Sequence, residues 1–198
     1  MCKSFYIFIL GLMLCGRIDA QPKTNMEIFY GLIDKSVTEL LKGNVTKDNN
    51  IYIEFSSPEN YEILKSSLIE KAGAYTHITQ QKEKSDYVLS YSVEDAKVKY
   101  SDAFTQSFLG RNYVERDFSL KGFTGLNKIN GAVAGRHFEY SEKDTVELSG
   151  LKDLGNQAHP FANPDIPSET FFSSIIGPVA AIGAAITTIY LLFTVRSK

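Results

Sequence analysis

A chain of 198 residues with 21 Lys and Arg against 23 Asp and Glu is close to neutral, and it contains no tryptophan. That balance leaves no basic surface for nucleic acid, and the length holds one core of ordinary size rather than two. Its two cysteines, Cys2 and Cys15, both lie near the N-terminus, so nothing after residue 20 can form a disulfide framework.

The N-terminus reads Met1-Cys2-Lys3-Ser4, runs apolar from Phe5 to Cys15, and closes with Gly16-Arg17-Ile18-Asp19-Ala20. A cationic start, an apolar core and a small closing residue describe a secretory signal peptide at residues 1–20, cut after Ala20. The core is too short to span a bilayer. Lipid attachment at Cys15 is disfavoured, because the bulky Leu14 stands where lipoprotein signals want a small residue. An exported part without cysteines lacks the staples on which small animal extracellular domains rely, and this favours a bacterial periplasm. Setting aside Lys3, Arg17, Asp19, Arg196 and Lys198 leaves 17 basic and 22 acidic residues, a net charge of about −5.

Thr24-Asn25-Met26-Glu27 matches a capping box, and Met26, Phe29, Ile33, Val37, Leu40 and Leu41 follow at helical spacing up to Gly43. This predicts an amphipathic helix over 25–42 whose stripe packs on the domain's own sheet. Residues 51–55 alternate as a short strand. Ser57 is placed to cap a helix with Pro58 at its first position, with Tyr61, Leu64, Leu68 and Ala72 on one face and Gly73 at its end. Residues 74–79 read as a second short strand, completing a strand–helix–strand unit with parallel strands.

Beyond the polar turn 81–85, Tyr87, Leu89, Tyr91 and Val93 alternate with polar neighbours, and Ala96, Val98 and Tyr100 then alternate in the opposite phase. A one-residue slip at Glu94-Asp95 predicts a β-bulge. Residues 101–112 form a hairpin loop. Residues 113–123 return as a strand with Val114, Phe118 and Leu120 inward, and 132–140 add a third antiparallel strand after a turn at 125–131. The fold class is therefore α+β: one exported domain, residues 21–142, with a mixed five-stranded sheet and two helices on one face. That order, helices first and a long meander after, resembles in layout the small periplasmic domains typified by the N-terminal domain of the Tol–Pal system's β-propeller protein.

From 143 to 170 periodicity fades among Gly150, Gly155, Pro160, Pro164 and Pro167, which predicts a semi-extended tether. Residues 171–195 carry no charge. At about 1.5 Å per residue they exceed a hydrocarbon layer of about 30 Å, so they are expected to cross the membrane once. Arg196 and Lys198 then mark a three-residue cytoplasmic tail, residues 196–198, of the inner membrane.

No motif carries chemistry. His77, His137 and His159 are not at metal-ligand spacing. No nucleophile elbow or phosphate loop is present, so no catalytic residue, metal or cofactor is assigned. Glu115 and Asp117 share a strand face at a spacing that glycoside chemistry sometimes uses, but the alternating charges around them describe a solvated sheet face. Asn44-Val45-Thr46 is a glycosylation sequon that matters only if the chain is a eukaryotic or viral surface glycoprotein.

Apolar residues at a loop tip are harder to explain by packing. Phe104, Phe108 and Leu109, with Tyr100 and Tyr113 at the hairpin stem, are the candidate surface for a protein partner. In the apolar C-terminal segment, Gly177, Ala181 and Ala185 recur every four residues and are candidates for helix–helix packing with a second copy or a partner helix. The expectation is a non-enzymatic, membrane-anchored envelope protein whose domain is an interaction module, with a hydrolase using an unrecognised carboxylate site as the remote alternative.

Overall fold

The computed structural model describes residues 21–106, 110–129, 131–168 and 171–195. Residues 1–20 and 196–198, read above as signal peptide and tail, lie outside this description. The first helix, α1 (Asn25–Leu41), starts on its capping box. The Glu27 N–H donates to Thr24 Oγ1, and the Thr24 N–H donates to the Glu27 carboxylate at 2.7 Å. Those bonds hold the Glu27 carboxyl below the usual range. All six stripe residues are buried. The helix stops at Gly43, whose φ of +85° a side chain would strain. Asn44 Nδ2 donates to the Leu40 carbonyl, so the amide of the sequon closes the helix end.

After β1 (Asn50–Ser56) the chain departs from expectation. Ser57 Oγ donates to the Pro58 carbonyl rather than to helix amides, and a 3-10 turn at Glu59–Tyr61 intervenes. The second helix, α2, therefore spans only Leu64–Gly73. Its last turn is closed by Ala74 and Tyr75, which donate to the Lys71 and Ala72 carbonyls, so β2 shrinks to His77–Thr79.

Strand β1 lies between β2 and β3 (Tyr87–Tyr100), parallel to both. Strand β3 pairs antiparallel with β5 (Asn112–Lys128), which pairs in turn with β6 (Gly131–Glu147). The register of β3 shifts between Val93 and Asp95, so Glu94 is the extra residue of a bulge at the predicted place. Gly122 lies opposite, where a Cβ would collide with the Ser92 carbonyl oxygen. The predicted loop 101–112 contains a two-residue strand, β4 (Phe104–Thr105), on the same edge of β5 as β3. Among the described residues the mixed sheet thus counts six strands rather than five, because β4 prolongs the rank that β3 leaves.

Both long helices of the domain cover one face. Phe29 meets Phe118 edge-on at 5.6 Å, and Ile33, Leu64 and Leu68 pack against Ile51, Leu89, Tyr91 and Leu120 in one core. Tyr91 and Ser36 share a hydrogen bond of 2.6 Å, and burial pushes the Tyr91 phenol well above its ordinary range. The opposite face is a lattice of ions: Lys97 with Asp95, Lys121 with Glu139, and Lys143 with both Glu115 and Asp117.

The tether reading of 143–170 is corrected over most of its length. Residues 143–147 continue β6, and Leu148–Gly150 with α3 (Leu151–Leu154) fold back onto the domain. There Val146, Leu151 and Leu154 close a second small core with Ala103 and Val114. Phe161 stands edge-on to Phe29 at 5.2 Å and to Tyr61 at 5.1 Å, and Ala162 is fully buried. The packed segment thus reaches at least to residue 162. Short turns that each contribute one apolar side chain leave no period for sequence to show.

The last helix, α4 (Phe171–Val195), is 25 residues long. Its large apolar side chains from Val179 to Phe193 are 53–77% exposed. Among the described residues no helix is long and apolar enough to cross a membrane, the side chains of 171–176, 178 and 195 lying outside that description.

Candidate functional site

The predicted partner-binding residues separate into three groups. Tyr100, the last residue of β3, points to the helix side, where its hydroxyl accepts from Asn25 Nδ2 at 2.7 Å. Burial raises the phenol above its ordinary range. This is a packing residue and not part of a free surface. Phe108 and Leu109 lie outside the described residues. Phe104 and Tyr113 are the pair that comes together: they are register partners across β4 and β5, with ring centroids 6.4 Å apart, and Phe104 is 38% exposed.

Tyr113 is in turn the register partner of Glu147 on β6, so Phe104, Tyr113 and Glu147 form one row across three strands. The row ends in a salt bridge, Arg111 Nη1 to Glu147 Oε2 at 2.7 Å, while Ser149 Oγ donates to Glu147 Oε1 at 2.7 Å. The Ser149 hydroxyl and then the Arg111 guanidinium hold the Glu147 carboxyl below the usual range. Beyond it opens a cleft of about 390 Å³ lined by Arg111, Asn112, Glu147, Lys152, Ile166 and Pro167. An exposed phenylalanine beside a half-buried tyrosine, next to a cleft with an ion pair and an exposed isoleucine, can seat a mixed apolar and polar segment of another polypeptide.

Sequence reasoning missed the group that braces this end. Arg116 is completely buried. Its guanidinium grips the Asp144 carboxylate with Nε and Nη2, donates from Nη1 to Asn25 Oδ1 at 2.7 Å, and donates from Nη2 to the Lys23 carbonyl at 2.9 Å. Asn25 Nδ2 then donates to both Tyr100 and the Ala162 carbonyl. The clasp joins the start of α1, the end of β3 and the C-terminal segment behind the candidate surface. The signal was available, since Val114, Phe118 and Leu120 face inward and Arg116 shares their parity.

The remaining candidates fall into place plainly. Glu115 and Asp117 are both bridged by Lys143, at 3.2 and 3.1 Å, on the open sheet face. His137 lies exposed with Nδ1 3.4 Å from Glu94. No group of three or more His, Cys, Asp or Glu among the described residues is placed to hold a metal ion. Gly177, Ala181 and Ala185 lie exposed on α4.

No family model matches the chain, and no curated protein does. Solved structures give remote likenesses. Rare lipoprotein B from Shewanella oneidensis is 10% identical over 74% of this chain and 93% of its own, with a TM-score of 0.29. Lipoprotein B from Nitrosomonas europaea is 14% identical over 75% and 90%, at 0.29. A homolog of a neuraminyllactose-binding hemagglutinin from Helicobacter pylori is 17% identical over 58% and 82%, at 0.34. At those scores the chain is similar to two lipoproteins and a hemagglutinin homolog, and the likeness carries no argument about what it does.

Proposed function

We propose that this chain is a non-enzymatic envelope protein, anchored by α4 in the inner membrane, whose periplasmic domain binds a protein partner through the row Phe104–Tyr113 and the adjoining cleft. The observation that carries the reading is α4 itself: 25 residues without a charge, with large apolar side chains that nothing in the domain covers. Hydrocarbon is the solvent that suits such a surface, and about 37 Å of helix is long enough to cross it. The span is read from the whole uncharged run of the sequence, since the described residues taken alone hold no helix long and apolar enough to cross. Pro167, which lines the cleft, is four residues before α4. The binding site therefore sits within about 14 Å of chain from the anchor.

Two measurements test the two halves. The full chain should stay with membranes through alkaline carbonate extraction, and a chain stopped at residue 168 should be released; release of the full chain rejects the anchor. A photo-crosslinking residue in place of Phe104 should trap a partner that Tyr113→Ala no longer captures. Equal capture by the Tyr113 variant rejects the choice of surface.

A further inference from the structure

The groove between α1 and α2 carries a second site, independent of the anchor and of the Phe104 surface. On α1, Glu27, Tyr30, Gly31 and Asp34 fall at intervals of three and four residues, so they share one face of the helix. Ser67, Glu70 and Lys71 do the same on α2. Together they line a groove of about 320 Å³. Glu27 and Asp34 are seven residues apart, about 10 Å along the axis.

Three features make the groove more than an acidic surface. Ser67 is only 5% exposed, yet its hydroxyl has no hydrogen-bond partner. Its neighbour Ser66 satisfies its own hydroxyl on the Ile63 carbonyl at 2.8 Å, the ordinary solution for a helical serine, and Ser67 does not. A buried polar group left unpaired is costly, and a ligand donor or acceptor removes that cost. Next, Asp34 is half-buried and has no ion pair or hydrogen bond among the described residues. Glu70 by contrast is held by Lys71 at 3.1 Å. Third, Gly31 leaves the space open, since a Cβ there would meet nothing within 4 Å.

Of the three carboxylates that line this groove, Glu27 is taken up by its cap and Glu70 by Lys71. Asp34 is the one left without a partner among the described residues, so the unmet requirement is for one cation that can also hydrogen-bond a hydroxyl. The described carboxylates are not grouped as metal ligands. We propose that the groove between α1 and α2 docks a lysine or arginine side chain presented by a partner polypeptide. The cation pairs with Asp34 and satisfies Ser67 Oγ, while its aliphatic stem lies along the space that Gly31 leaves free.

The test uses the full chain, isotope-labelled and kept in a mild non-ionic detergent, titrated at low salt with capped hexalysine. The expected result is a set of saturable amide shifts confined to Gly31, Asp34, Ser67 and their neighbours. Asp34→Asn should weaken the titration at least tenfold. Gly31→Met, which fills the groove where there is room for a side chain, should do the same. Gly31→Ala should bind as the parent does and shows that the helix tolerates a Cβ there. The proposal is overturned if the shifts are absent, if they spread over the Glu115 and Asp117 face, or if both blocking variants titrate like the parent. It is also overturned if calcium chloride or spermidine reproduces the same shifts, since the site would then belong to a metal ion or a free polyamine.

Discussion

Strands β5 and β6 carry two sets of ion pairs one residue apart, and the two behave as opposites. Arg116 and Asp144 face the helices, where the guanidinium is wholly buried and makes four hydrogen bonds. Lys143 faces the other way and bridges Glu115 and Asp117 in open water. Both set a cation against carboxylate across the same two strands, a two-pronged guanidinium in one case and an ammonium in the other, and the largest difference between them is burial. On the exposed face the ions screen one another and keep a long sheet surface soluble. On the covered face the guanidinium binds together elements far apart in sequence, and its removal from water leaves it dependent on every partner it has.

The contrast can be broken most directly at Asp144. Asp144→Ala strands a buried guanidinium, and because Asp144 is itself 31% exposed the loss should be near the lower end of the usual range, about 3 kcal/mol. Urea denaturation checks it. An unchanged midpoint would mean that water already reaches the clasp.

A middle-sized effect sharpens the same contrast through pH. Burial raises the Tyr91 phenol in the folded chain above its ordinary value of 10.0. Above pH 10 the unfolded chain loses that proton while the folded chain keeps it, so stability is intact below 10 and falls as pH rises further. The slope is up to about 1.4 kcal/mol per pH unit for such a phenol. Tyr91→Phe should flatten the decline between pH 9 and 11 in urea melts. Tyr100 and Tyr140 are raised by the same cause and leave a residual slope. A decline of equal steepness in the variant would place the titrating group elsewhere.

The smallest effect belongs to the open face. Lys143→Ala should leave the urea midpoint where it was, in low salt and in high. A loss comparable to that of Asp144→Ala would erase the distinction between the two faces.

The same contrast explains what the sequence could reveal. The capping box of Thr24 and Glu27, the stripe of α1 and the slip at Glu94 were legible because each is written in neighbouring residues. Arg116 lies among the alternating charges around Glu115 and Asp117, which as a pattern describe a solvated face. Parity placed it inside, but its partners are residues 23, 25 and 144, and such distances leave no local pattern. Leu151, Leu154 and Phe161 were lost for a related reason, since isolated side chains dropping from short turns carry no period. Ser57 failed differently: its hydroxyl found the adjacent carbonyl of Pro58 before any helix amide. At the candidate surface, the sequence reading put Phe104, Tyr100 and Tyr113 forward together; the fold pairs Phe104 with Tyr113 across β4 and β5 and turns Tyr100 to the opposite side of the sheet. The groove was invisible beforehand, because Asp34 and Ser67 meet only when two helices are laid side by side.

The contact between Asn25 and the Ala162 carbonyl has a mechanical consequence. The point where the chain enters the domain and the point where it leaves are the same corner. A pull on the segment that follows residue 162 therefore loads that corner first, before any strand is peeled from the sheet.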